Sequence, residues 1–134
     1  MKLDHIGIAV DDLEAARKLY GQVLGLAVGP VEELPERKLR ISFVDLGAGG
    51  AGLELLCPTD PDSAVGKFLA SKGPGVQHLA YRVEDIQARL AELKAAGVRL
   101  VDEQARPGAH GCLVAFLHPK STGGVLTELV QHTH

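Results

Sequence analysis

The sequence predicts an α+β fold of two βαβββ modules that together form a curved, mixed and mostly antiparallel eight-stranded sheet. Three observations predict it. The stretch Leu3-Asp4-His5-Ile6-Gly7-Ile8-Ala9-Val10 returns as Val76-Gln77-His78-Leu79-Ala80-Tyr81-Arg82-Val83, each a short β-type run with histidine third. A glutamate inside an apolar run follows each histidine at nearly one spacing, Glu54 after 49 residues and Glu128 after 50. The glycines that stop the first helical pattern of each half, Gly25 and Gly97, lie 20 and 19 residues beyond those histidines. A repeat of roughly 70 residues that occurs only twice is longer than a solenoid period and argues for one pseudo-symmetric domain. Residues 1–134 therefore read as a single domain, with module one at about 1–57, a linker at about 58–75 and module two at about 76–134.

In residues 3–10, Leu3, His5, Gly7 and Ala9 fall on one side and Ile6, Ile8 and Val10 on the other, so both faces of this strand are expected to be partly buried. Asp11 and Asp12 offer N-cap oxygens, and Leu13, Ala16, Tyr20 and Leu24 recur at helical spacing until Gly25. A Pro- and Glu-rich connection runs through Pro35. Strands are predicted around 39–46 and 52–57, joined by the Gly-rich turn Gly47-Ala48-Gly49-Gly50-Ala51-Gly52, which reads as a hairpin turn because no phosphate-loop Lys-Ser/Thr pair follows it. Within the linker, Cys57-Pro58-Thr59-Asp60-Pro61-Asp62-Ser63 breaks regular structure, and Ala64 to Lys72 forms a short helix ending at Gly73-Pro74-Gly75. Module two then repeats the order: a strand at 76–83, an Asp85-capped helix carrying Ile86, Leu90 and Leu93, and strands near 98–102, 112–118 and 125–131.

Composition excludes several function classes. With 17 Asp+Glu against 14 Lys+Arg, a net charge of −3 and no run of four basic residues, the chain suits neither nucleic acid nor an anionic membrane as partner. An aromatic content of 4% cannot build a base-stacking platform. No stretch approaches the roughly 20 apolar residues of a membrane span. Only Cys57 and Cys112 are present and no secretory leader precedes them, so a cytoplasmic protein with reduced thiols is expected.

The chemistry concentrates in four side chains. If the halves pair about a pseudo-two-fold, His5 and His78 come from equivalent strands, as do Glu54 and Glu128, and all four point into one metal-containing cavity. Two imidazoles and two carboxylates suit a divalent ion of intermediate hardness with two positions left for water or substrate. A closed structural zinc site would instead favour Cys and His in four-coordination. A lone strand histidine is ordinarily structural, but a carboxylate among leucines is costly to bury unless paired, hydrogen-bonded or metal-bound.

Further candidates stand outside that set. His110, in Gly108-Ala109-His110-Gly111, sits in a turn that either lips the cavity or is merely solvated. His118 opens the loop Pro119-Lys120-Ser121-Thr122-Gly123-Gly124, where Lys120 and backbone amides could grip an anion. Cys57 and Cys112 lack a histidine at a recognisable spacing, which argues against a thiol nucleophile. His132 and His134 lie in a terminus expected to fray.

Read together, the stretches from Leu3 to Val10, Glu54-Leu55-Leu56, Gly75 to Ala80, Gly108 to Gly111 and Phe116 to Leu129 resemble the methylmalonyl-CoA epimerases of the vicinal oxygen chelate superfamily. The resemblance spans essentially the whole chain, and the His118-Pro119-Lys120 loop and the Pro58-to-Gly75 linker are its most specific parts. It implies His5, Glu54, His78 and Glu128 as metal ligands. The ion would be cobalt by preference, with manganese, nickel, zinc or magnesium as alternatives. It also implies a homodimer, a CoA thioester substrate contacted by His110 and Lys120, and interconversion of (R)- and (S)-methylmalonyl-CoA through a metal-stabilised enolate. Glu128 matches a ligand that also serves as a base. Some members carry a second glutamate where this chain has Ile41, which moves no proton; the second acid/base group is left unassigned, with Glu54, His110 or a metal-bound water as candidates.

Two other activities fit parts of the pattern. A glyoxalase I-like lyase acting on a glutathione hemithioacetal would use much the same ligands but a shorter Asp-Pro-Asp-Gly-like turn before the last glutamate. A metal-free binding protein of this fold would sequester a small ligand. A ring-cleaving dioxygenase needs only two histidines and one carboxylate, which leaves Glu54 without a role.

Overall fold

Two parallel strand ladders, one in each half, carry the architecture. The structure, a computed structural model, describes residues 1–47 and 50–133; the Ala48-Gly49 part of the predicted Gly-rich turn and His134 lie outside the described residues. The chain divides into two compact units, His5–Gln77 and Met1–Asp4 with His78–His134.

In the unit His5–Gln77, β1 (Lys2–Ala9) pairs in parallel with β5 (Gly52–Pro58), from His5 opposite Gly52 to Ala9 opposite Leu56. Antiparallel to β5 runs β4 (Leu39–Asp45), which also pairs with β2 (Ala27–Val28) and β3 (Glu32–Leu34). The connection predicted through Pro35 thus contains two short strands. Their residues do not alternate in polarity, and it is the long edge of β4 that orders them. Helix α1 (Leu13–Lys18) is capped by Asp12, whose Oδ1 accepts from the Ala15 amide at 3.0 Å. Its apolar stripe packs Leu13, Ala16 and Tyr20 against Val10, Val44 and Leu55.

Beyond Lys18 the helix widens into a π turn at Leu19–Val23, in which the Leu24 amide donates to the Leu19 carbonyl at 2.9 Å. That wider turn breaks the 3.6-residue phase. Leu24, predicted on the buried stripe, is therefore 56% exposed. Helix α2 (Ala64–Lys72) has the predicted bounds and starts at Ser63, whose hydroxyl accepts from Gly66 at 3.2 Å. Only glycine fits at 66, because a Cβ there would lie 2.5 Å from the Pro61 carbonyl oxygen.

The other unit repeats the plan. β6 (Gly75–Arg82) pairs in parallel with β9 (Thr127–Gln131), which runs antiparallel to β8 (Leu113–Leu117), itself paired with the short β7 (Arg106–Pro107). Helix α3 (Ile86–Ala95), capped by Asp85, buries Ile86 and Leu90 against Val83, Ala115, Leu117 and Leu129. The order β1-α1-β2-β4-β5 and β6-α3-β7-β8-β9 is the predicted βαβββ twice over, with β3 added. The sheet is mixed and mostly antiparallel as expected.

The strand predicted near 98–102 does not form, and only Leu100 bridges to Leu117. Its amides are spent elsewhere. Val98 donates back to Leu93 in the helix end, while Val101 and Asp102 both donate to the single carbonyl of Phe116, a two-against-one arrangement that ends a ladder. His132 departs from expectation too. His132 does not fray: its Nε2 lies 2.7 Å from Asp4 Oδ1, and both side chains are largely shielded from solvent.

Candidate metal centre

Each parallel ladder places one histidine and one glutamate by the same register. In the first, Glu54 stands opposite Gly7, two residues beyond His5; in the second, Glu128 stands opposite Ala80, two residues beyond His78. Residues two apart on a strand share a face, as do directly paired residues. The glutamate and histidine therefore lie on one face in each unit, and the small Gly7 and Ala80 leave room between them.

The resulting contacts match. His5 Nε2 is 3.4 Å from Glu54 Oε1, and His78 Nε2 is 3.3 Å from Glu128 Oε1. All four residues are buried, at 8, 4, 1 and 2% exposure for His5, Glu54, His78 and Glu128. An aromatic residue stands opposite each glutamate on the antiparallel side: Phe43 opposite Glu54 and Phe116 opposite Glu128. The Phe116 ring also meets His78 edge to face, with centroids 5.5 Å apart. Buried carboxylates in such apolar frames need a cation or strong donors to offset desolvation.

The donor chemistry fits a divalent ion. Neighbouring nitrogen and oxygen ligands at about 2.1 Å from one ion, with bond angles between about 90° and 110°, lie about 3.0 to 3.4 Å apart. Both His–Glu separations fall in that range.

Ile41 lies on the face of β4 that carries Phe43. It pairs with Leu56, on the same face as Phe43 and Glu54, and is fully buried. Leu39, Ile41 and Phe43 on that face of β4 are hydrocarbon and carry no proton. His110 is exposed at the centre of a one-turn helix, Ala109–Gly111, with φ 57°. Lys120 is exposed in the loop between β8 and β9, and its amide donates to His118 Nδ1 at 3.1 Å. Burial pushes the Cys57 thiol up from its ordinary range, which agrees with the absence of a thiolate nucleophile.

Two participants escaped the sequence reading. Phe116 stood only inside a motif, and its place against Glu128 depends on the antiparallel register of β8 and β9. Arg99 was hidden in the supposed strand at 98–102; its carbonyl accepts from the His118 amide at 2.9 Å.

Comparison with known proteins agrees with this geometry. The model of the glyoxalase/bleomycin resistance protein/dioxygenase superfamily matches residues 4–116. The chain is 43% identical over 131 residues to the mitochondrial methylmalonyl-CoA epimerase of Bos taurus, covering 97% of this chain and 74% of that protein. The crystal structure of methylmalonyl-CoA epimerase from Mycobacterium tuberculosis superposes with a TM-score of 0.93 at 41% identity, covering 99% of this chain and 89% of that one. A variant of the Streptomyces coelicolor methylmalonyl-CoA epimerase, in complex with 2-nitronate-propionyl-CoA, gives a TM-score of 0.92 at 42% identity over 99% of this chain and 95% of that one. Similarity to a probable lactoylglutathione lyase of Vibrio parahaemolyticus is lower, 29% identity over 130 residues.

Proposed function

The chain belongs to the methylmalonyl-CoA epimerases of the glyoxalase/bleomycin resistance protein/dioxygenase superfamily, and we infer from this that it interconverts the two C2 configurations of methylmalonyl-CoA. The observation that carries the reading is the pair of buried His–Glu contacts set in one duplicated register. His5, Glu54 and His78 each offer a ring nitrogen or carboxylate oxygen from which an ion could be held, and Glu128 stands in its own ladder at the register position that Glu54 holds in the first. A divalent ion, cobalt by preference, would supply Lewis-acid stabilisation of the negative charge that develops when C2 is deprotonated.

What the residues themselves do follows from their placement. Glu128 is the base: its carboxylate takes the C2 proton while the C–H electron pair moves into the thioester carbonyl, giving an enolate. Return of a proton to the opposite face of C2 completes the inversion. The Phe43 and Phe116 rings and the Ile41 side chain exclude water, which would compete for the carboxylates and weaken their electrostatic hold. His110 and Lys120 contact the thioester substrate.

The lyase alternative is disfavoured by the His118-Pro119-Lys120 connection before Glu128 and by the lower identity to that class. The test is a single configurational isomer of methylmalonyl-CoA incubated with the purified protein. Equilibration to both isomers is expected, and recovery of the starting isomer alone would defeat the assignment.

Assembly and location complete the reading. Leu19, Val23 and Leu24 expose an apolar patch on and just beyond the π turn, 46, 69 and 56% accessible, which supports a homodimer. Sedimentation equilibrium should give twice the monomer mass, and Val23→Glu should shift it toward monomer; a monomeric wild type would contradict this. Two free cysteines suit the cytoplasm. No described helix is long and apolar enough to cross a membrane.

A further inference from the structure

The connection from β8 to β9 carries a group of cations that the C2 chemistry does not use. Leu100 bridges antiparallel to Leu117, which sets Arg99 opposite His118, and the His118 amide donates to the Arg99 carbonyl at 2.9 Å. The Arg99 amide in turn donates to Ser121 Oγ at 2.8 Å, so the loop is fastened back over the arginine. Lys120 follows two residues after His118. Arg99 and Lys120 are exposed, and among the described residues neither meets a carboxylate. Elsewhere in the same unit Arg89, Lys94 and Arg106 each sit against one: Glu92, Glu103 and Asp102.

His118 is shaped to join them as a donor. Its Nδ1 accepts the Lys120 amide at 3.1 Å, which leaves the proton of the neutral ring on Nε2. Desolvation, followed by the Arg99 and Lys120 charges, holds its pKa below the usual histidine value. A guanidinium, an ammonium and an imidazole N–H around one loop form a recognition set for a phosphate group.

We propose that Arg99, His118 and Lys120 bind a phosphate at the nucleotide end of the CoA thioester. The assignment rests on the CoA thioester reading given above. Its position suits that role. Phe116 is opposite Glu128 and His118 lies two residues further along, about 7 Å in an extended strand, so the cluster stands past Glu128 on the side where β8 and β9 part. The pantetheine arm bridges the rest.

The test compares methylmalonyl-CoA with methylmalonyl-pantetheine, which has the same reacting carbon and no phosphate. In R99A the KM for the CoA ester should rise by about tenfold with kcat unchanged, and the KM for the pantetheine ester should match that of wild type. An unchanged KM on the CoA ester, or an equal rise on both esters, overturns the proposal. If the wild type epimerises neither ester, the functional reading fails. The cluster is then judged by calorimetric titration with CoA: weaker binding by the variant supports it, while equal binding, or inorganic phosphate binding as tightly as CoA, overturns it.

Discussion

Glu128→Gln is expected to lower kcat by between about 10² and 10⁴. The change keeps the side-chain shape and the β8–β9 register but removes the charge and the basic oxygen. Glu128 is 2% exposed and 3.3 Å from His78 Nε2, so no solvent carboxylate or neighbouring acid on β9 can stand in for it. Because the same carboxylate is a proposed ligand, metal occupancy should fall as well. Far-UV circular dichroism should match wild type, since β9 keeps its pairings. A variant with full turnover and full metal content would remove Glu128 from both roles.

Chelation is expected to abolish turnover, and re-addition of a divalent ion to restore it. Stability should move in parallel, because an ion that binds only the folded chain adds on the order of 4 kcal/mol when present at about 1,000 times its Kd. For a chain of this size that corresponds to a Tm increase of roughly 10 °C or more. The expected scan therefore shows a metal-dependent midpoint in wild type and a much reduced shift in His78→Ala. Equal midpoints with and without ion, together with undiminished turnover after chelation, would contradict a metal centre.

Much of this was legible in the sequence because the relevant signals are local or duplicated. Asp12 and Asp85 cap their helices where an acid precedes an apolar stripe, and α2 runs between its predicted ends. The His–Glu pairs were visible because two copies of one pattern point to the same register. What escaped depends on partners distant in sequence. Leu24 left the buried face because a π turn intervened, and nothing in Leu19-Tyr20-Gly21-Gln22-Val23 announces one. The segment 98–102 read as a strand, yet the Val98 amide serves the end of α3 and those of Val101 and Asp102 a single carbonyl of β8. His132 looked terminal until Asp4, at the other end of the chain, supplied its partner. Arg99 gained its meaning only when the bridge at Leu100 set it opposite His118.

Ile41 bears on the second proton transfer. The family comparison placed a hydrocarbon where some members have an acid, and the register of β4 on β5 puts that side chain on the Glu54 face, fully buried. The proposed metal chemistry and the proposed first proton transfer have named residues. Proton delivery to the second face does not involve Ile41.

The measurement that tests the central claim most directly is nuclear magnetic resonance of methylmalonyl-CoA incubated with the metal-loaded protein in heavy water. Deuterium should appear at C2 together with the second stereoisomer, at a rate far above the protein-free control. Absence of exchange above that control would contradict an epimerase.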